Sequence, residues 1–94
     1  SILGLTLEEG SHLRLSPCIP DEWPGYRIQW TLPEGTTYRI EVRNPQRCAA
    51  RIQDLRHDQV PLPHEETTAR LRLRRDRGRH EVLVTLAPPR SSTP

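Results

Sequence analysis

The feature that most constrains this chain is a period-two alternation of apolar and polar residues that recurs along most of its length. Leu3, Leu5 and Leu7 alternate with Gly4 and Thr6, and Leu13 and Leu15 flank Arg14. Tyr26, Ile28, Trp30 and Leu32 alternate with Arg27, Gln29 and Thr31, and Tyr38, Ile40 and Val42 alternate with Arg39 and Glu41. Ala69, Leu71 and Leu73 alternate with Arg70 and Arg72, and Val82, Val84 and Leu86 repeat the pattern near the end. Successive side chains of an extended backbone point to opposite faces, so each run presents one apolar and one polar side. No long segment carries the 3.6-residue helical period. The chain is therefore read as a set of short strands that bury their apolar faces against one another.

Turn residues cut these runs at intervals of about ten residues. Glu8-Glu9-Gly10-Ser11 closes a local hairpin between the first two runs. Pro17, Pro20 and Pro24 crowd the segment 17–25, a density that neither a helix nor a central strand tolerates, so it is read as an ordered loop holding Trp23. Pro33-Glu34-Gly35 turns the next hairpin, and Asn44-Pro45 stops it. Residues 48–55 suit a strand, with Ala50 and Ile52 inward, or a short helical turn; the strand is the better fit. Arg56-His57-Asp58 reads as a turn and Val60 to Pro63 as an edge segment. Asp76-Arg77-Gly78 reads as a tight turn that joins the runs on either side into a hairpin, with Gly78 supplying a positive φ. The expected fold is all-β: an antiparallel two-layer β-sandwich, jelly-roll-like, of seven or eight short strands. One domain over 1–87 is expected, with 88–94 a disordered tail.

Composition limits how firm such a sandwich can be. Hydrophobic residues are 33% of the 94, and with no Phe or Met the two Trp and two Tyr must supply much of the core's bulk. A core this thin suggests a domain that leans on a neighbour. All 14 basic residues are Arg and the net charge is +2. No run of ~20 apolar residues is present, so direct membrane insertion is not expected. The opening Ser-Ile-Leu-Gly-Leu lacks the layout of a signal peptide and an initiator Met, which fits a piece of a longer chain. Cys18 and Cys48 lie in loop-like sequence; reduced thiols are favoured over a bridge.

Motifs for chemistry are sparse. The sequence holds no Gly-x-Ser-x-Gly, no Gly-rich phosphate loop and no His-Glu-x-x-His. The adjacent pairs Glu8-Glu9 and Glu65-Glu66 project in different directions on an extended backbone and read as solvated turn charge. His12, His57, His64 and His80, with the two cysteines, show no zinc spacing, so no metal and no cofactor are expected and most of the histidines are expected to be exposed. Arg70, Arg72, Arg74, Arg75, Arg77 and Arg79 form a basic cluster, but the first three lie opposite the leucines and acidic residues interleave the rest. A solvated face is the better reading, and nucleic acid is not expected as a partner. No catalytic residue is expected.

The loop Pro17-Cys18-Ile19-Pro20-Asp21-Glu22-Trp23-Pro24-Gly25-Tyr26 is the most specific feature of the chain. Proline stiffens it, Asp21 suits a turn, and Trp23 offers a broad apolar ring. Packing of Trp23 on the end of the sandwich is the plainest reading. Trp23, Asp21 and Tyr26 are also the candidate residues for a sugar or inter-domain contact.

These motifs, in order, carry a resemblance. Ile2-Leu3-Gly4-Leu5, Leu13-Arg14-Leu15-Ser16-Pro17-Cys18-Ile19-Pro20, Trp23-Pro24-Gly25-Tyr26, Thr37-Tyr38-Arg39-Ile40 with Val42, and Asn44-Pro45 resemble the C-terminal region of the inverting glycoside phosphorylases of the cellobiose and chitobiose phosphorylase type. The nearer likeness is to the homologous region of cyclic β-1,2-glucan synthases, and the closing strand from His80-Glu81-Val82 to Leu86 is similar too. The likeness spans about residues 2–87 and departs between about 46 and 80, where this chain is Arg-rich. It implies a β-sandwich that follows an (α/α)6 barrel, with the general acid upstream in the barrel and absent here. The implied partners are that upstream barrel of the same polypeptide and, as a second candidate, glucan. The implied location is the cytoplasmic face of a larger polypeptide, inner-membrane-embedded in the glucan synthases.

Overall fold

The computed structural model describes residues 4–8, 12–16, 19–74 and 76–88. Its elements are eight strands: β1 (Leu5–Glu8), β2 (His12–Leu15), β3 (Gly25–Thr31), β4 (Thr37–Arg43), β5 (Arg51–His57), β6 (Val60–Pro61), β7 (Ala69–Arg72) and β8 (Arg79–Ala87). They form two sheets, one of three strands in the order β1-β2-β7 and one of five in the order β3-β4-β8-β5-β6. The all-β sandwich expected from the alternation is the fold observed.

The alternation sets which side of each strand is covered. Leu13, Leu15, Ala69 and Leu71 of the small sheet meet Tyr38, Ile40, Val42, Ile52, Leu55, Val82, Val84 and Leu86 of the large one in a single buried cluster. The intervening Arg14, Arg70 and Arg72 stay exposed. Burying a Leu or Ile side chain is worth about 1.5–3 kcal/mol, so these dozen residues dominate the stability. The first hairpin pairs Leu5 with Leu15 and Leu7 with Leu13, and the second pairs Ile28 with Ile40 and Trp30 with Tyr38.

Four local readings differ. The runs before and after Asp76-Arg77-Gly78 do not form a hairpin: β7 pairs with β2, while β8 pairs with β4 and β5. Both runs have an apolar face, and facing each other across the core covers both, whereas pairing side by side would not. The positive φ of that turn falls on Arg77 (59°), not on Gly78. The turn then delivers the chain beside the start of β4, where the Arg77 N–H donates to Thr36 Oγ1 (2.9 Å) and the Thr37 N–H to the Gly78 carbonyl (3.0 Å). Entering at the same end, β8 runs parallel to β4 from the Thr37–Arg79 pair to the Arg43–Thr85 pair; the long excursion through β5 to β7 gives the room a parallel crossover needs. In β5 the register against β8 slips between Ile52 and Asp54, and Ala50, just before the strand, is exposed rather than inward. Arg56 and His57 belong to β5, and the tight turn is Asp58-Gln59, both with positive φ (50° and 70°).

The sheets also differ in width. Five strands cannot all be covered by three, and the edge strand β3 shows it: Tyr26, Ile28 and Trp30 point inward yet are only half-buried, while Tyr38, Ile40 and Val42 beside them are buried. The opposite edge is the two-residue β6, blunted by Pro61. Residues 89–94 of the expected tail lie outside the described residues. The Pro88 carbonyl accepts a hydrogen bond from Arg51 Nε (2.9 Å).

Candidate functional site

Two features of the large sheet concentrate polar organisation, one at each end of β4 and β8. They are separated by roughly five residues of strand, or about 16 Å.

The first is the loop before β3. Asn44 follows β4, is fully buried, and uses every polar group it has. Its side-chain amide donates to the carbonyls of Asp21 and Trp23 (2.9 Å each), and its Oδ1 accepts the Cys48 N–H (3.0 Å). Its own N–H donates to the Pro24 carbonyl (2.8 Å), and its carbonyl accepts from the Arg47 N–H (3.2 Å) and guanidinium (3.1 Å). A buried amide so fully paired fixes the strands of chain around it. Asp21 adds a second tie, its Oδ1 accepting the Ala49 N–H at 3.1 Å. Gly25 completes the junction: at φ 137° its Cα lies so close to the Val42 carbonyl that a Cβ would run into the oxygen.

The result is a loop held at many points whose largest side chain is partly exposed. Trp23 is 40% exposed, so it does not plug the end of the sandwich as the plainest sequence reading has it. Its backbone is pinned by Asn44, whose amide donates to the Trp23 carbonyl. Tyr26, two residues after Pro24, is half-buried at the start of the half-covered β3 row, and Asp21 is exposed. The three sequence candidates therefore share one end of the large sheet. Asn44, which organises them, reads in the sequence only as a strand stop before Pro45; the capacity of Asn for both donor and acceptor bonds at such stops is the signal that points to it. Cys48 is a free, half-buried thiol, and Cys18 lies outside the described residues.

The second feature is a histidine–aspartate cluster at the other end. His80, at the start of β8, pairs across the sheet with Tyr38, and their rings stack at 4.8 Å. His57 closes β5, and Asp58 begins the turn after it. His57 Nε2 lies 3.0 Å from His80 Nδ1, which lies 3.0 Å from Asp58 Oδ2; the third side, His57 Nε2 to Asp58 Oδ2, is 3.4 Å. His80 Nε2 meets the Asp76 carboxylate at 3.0 Å. Asp58 Oδ1 accepts the Glu81 N–H (2.8 Å), and Asp76 Oδ1 accepts the Gly78 N–H (2.9 Å). The histidine side chains are only 7% and 11% exposed, which corrects the expectation that these rings face solvent. The reason is their strand positions: both fall on the inward side of the large sheet, where His80 follows the same alternation as Val82 and Val84.

The charges follow from this geometry. Burial lowers the pKa of His80, but hydrogen bonds to Asp58 and Asp76 outweigh it and leave the value raised. Burial pushes His57 down, and no other influence reverses that. The Glu81 N–H holds the Asp58 carboxyl low, and the Gly78 N–H does the same for Asp76. Tyr38, next to the rings, is pushed up by burial while its hydroxyl oxygen accepts the Arg74 N–H at 2.6 Å. His57, Asp58 and His80 are residues that can hold a metal ion.

The remaining sequence candidates disperse. Arg14 and Arg70 lie directly opposite on the outer face of the small sheet, whereas Arg79 is exposed on the large one, so the basic cluster is split between layers. Arg75 lies outside the described residues. Glu65 serves its own turn, its N–H donating to the Thr68 carbonyl and its carboxylate accepting from the Thr68 hydroxyl.

No protein-family profile matches the chain. A stretch of 52 residues, 53% of the chain, is 35% identical to the N,N'-diacetylchitobiose phosphorylase of Vibrio proteolyticus. The match takes in only 6% of that protein's length. The chain thus carries a region related to a glycoside phosphorylase, a finding that bears on the phosphorylase part of the sequence resemblance alone.

Proposed function

We propose that this chain is an accessory β-sandwich of a carbohydrate-active, phosphorylase-type enzyme, and that it packs against a catalytic barrel upstream in the same polypeptide. The observation that carries the reading is the 35% identity over 52 residues to a chitobiose phosphorylase. In this reading the contact is made by the Trp23 end of the sandwich. Trp23, 40% exposed on a loop pinned by Asn44, precedes the half-covered row Tyr26, Ile28 and Trp30 of the edge strand. A rigid aromatic beside partly covered apolar residues is the composition of an interface core, where large rings are buried at low entropic cost. In this role the domain stabilises and shapes the barrel and takes no part in bond cleavage. The further likeness to cyclic β-1,2-glucan synthases extends the proposal to β-glucan synthesis at the cytoplasmic face of a membrane-embedded parent, and rests on the motifs alone.

A second reading is favoured by the same exposed ring: a carbohydrate-binding module in which Trp23 stacks on a sugar face. Calorimetric titration of the 94-residue chain with N,N'-diacetylchitobiose and with linear and cyclic β-1,2-glucans separates the two. The accessory role predicts no saturable heat with any of them. Saturable binding that is lost in Trp23→Ala would replace it with the binding-module reading.

A further inference from the structure

The geometry points to a binding site for a divalent transition metal, Zn2+ in kind, formed by His57 Nε2, Asp58 Oδ2 and His80 Nδ1. Three potential ligand atoms converge on one another, with sides of 3.0, 3.0 and 3.4 Å, and His80 Nδ1 joins the other two as a lone-pair donor once its proton is displaced by the metal. Zinc bonds of about 2.0–2.1 Å to nitrogen and 2.0–2.2 Å to oxygen give a tetrahedron with edges of about 3.3–3.5 Å, so the triangle lies within a few tenths of an ångström of one tetrahedral face. A single proton on His80 Nδ1 serves two of these acceptors by halves; a cation placed over the triangle serves all three.

The surroundings are built in the way that orients metal ligands. A ligating imidazole characteristically donates its other N–H to a carboxylate, which fixes ring and tautomer. His80 does so to Asp76, at 3.0 Å. The ligating carboxylate is in turn held by a backbone donor, Glu81 N–H to Asp58 Oδ1 at 2.8 Å. Stacking on Tyr38 fixes the plane of the His80 ring. The two rings are nearly buried, while the Asp58 side chain is 47% exposed and opens the cluster to solvent on one side. Two imidazoles with one carboxylate select a borderline cation over Mg2+ or Ca2+, which prefer all-oxygen shells. Three protein ligands leave a fourth position for water or a ligand from a neighbouring domain. Bound there, the metal would clasp the end of β5 and the Asp58-Gln59 turn to the start of β8.

The test uses the full 94-residue chain, Co2+ as a spectroscopic probe and Zn2+ as competitor. The expected result is a one-to-one Co2+ complex with intense visible d–d bands, displaced by Zn2+, and a rise in melting temperature with Zn2+ that Mg2+ and Ca2+ do not produce. Asp58→Asn removes the charged ligand but retains an acceptor for the Glu81 N–H, and Asn tolerates the positive φ of 50° at this position. Asp76→Asn leaves all three ligands and removes only their outer partner; it is expected to weaken Zn2+ binding by about 10–100-fold. Asp58→Asn is expected to weaken it further. Absence of d–d bands and of a Zn2+-dependent melting shift overturns the site. So does binding of wild-type strength in both variants, which places the metal on other histidines, or displacement by Mg2+.

Discussion

Replacing Asn44 tests how the loop that carries Trp23 is held. Asn44→Ala removes three side-chain hydrogen bonds: two from the amide to the Asp21 and Trp23 carbonyls and one from the Cys48 N–H to Oδ1. Each such bond contributes about 0.5–1.5 kcal/mol net, and a donor or acceptor left buried without a partner costs about 1–3 kcal/mol. Asp21 and Trp23 are exposed residues, so their carbonyls are the easier partners to resolvate, whereas Cys48 is half-buried. The expected loss is therefore about 2–4 kcal/mol, a large part of the ~5–14 kcal/mol available to a domain of this size. Asn44→Asp sharpens the point. It keeps volume and the acceptor for Cys48 but turns an oxygen toward two carbonyls, so it should cost at least as much as alanine. Urea unfolding followed by far-UV circular dichroism measures both, and acrylamide quenching of tryptophan emission should rise in Asn44→Ala as the loop loosens. Stabilities within about 0.5 kcal/mol of wild type in both variants would refute the role given to this residue.

Two further expectations follow from local geometry. Gly25→Ala should destabilise by more than ~2 kcal/mol, because alanine at φ 137° is strained by about 1–3 kcal/mol before its Cβ meets the Val42 carbonyl; an unchanged urea midpoint would show that β3 starts differently. Glu41 is held below the ordinary glutamate range by its hydrogen bond to Arg43, with Arg27 Nε 3.3 Å from the other oxygen. A carboxyl with a lowered folded-state pKa stabilises above its unfolded value and loses that contribution as pH falls through the folded one. Glu41→Gln should thus cost about 0.2–1 kcal/mol at neutral pH and nothing in strong acid, with the difference shrinking in high salt; a difference that persists in acid would contradict the pairing.

How much of this was legible in the sequence depends on whether the cause is local. Tyr38, Ile40 and Val42, or Val82, Val84 and Leu86, declare their strands and inner faces by alternation alone, and both hairpins have their registers implied by their turns. The parallel pairing of β4 with β8 is different. It is decided by where the chain re-enters after crossing to the other sheet, and no residue near Arg79 encodes that. The hairpin expected around Gly78 fails for the same reason, since two apolar faces satisfy one another across the core as well as along a sheet. In the candidate sites, Trp23 stands out as a rigid aromatic, but the bond that pins its backbone comes from Asn44, 21 residues away. His57 and His80 are separated by 23 residues and meet only because β5 and β8 are neighbours, so a search for ligand spacing passes over them.

In the proposed role, the Trp23 end of the large sheet docks against a neighbouring domain of the same polypeptide. Hydroxyl-radical footprinting of Trp23 in the 94-residue chain and in the longer polypeptide measures this directly. Strong labelling of Trp23 is expected in the isolated chain, where it is 40% exposed, and protection of Trp23 in the longer protein. Equal labelling of Trp23 in both would contradict it.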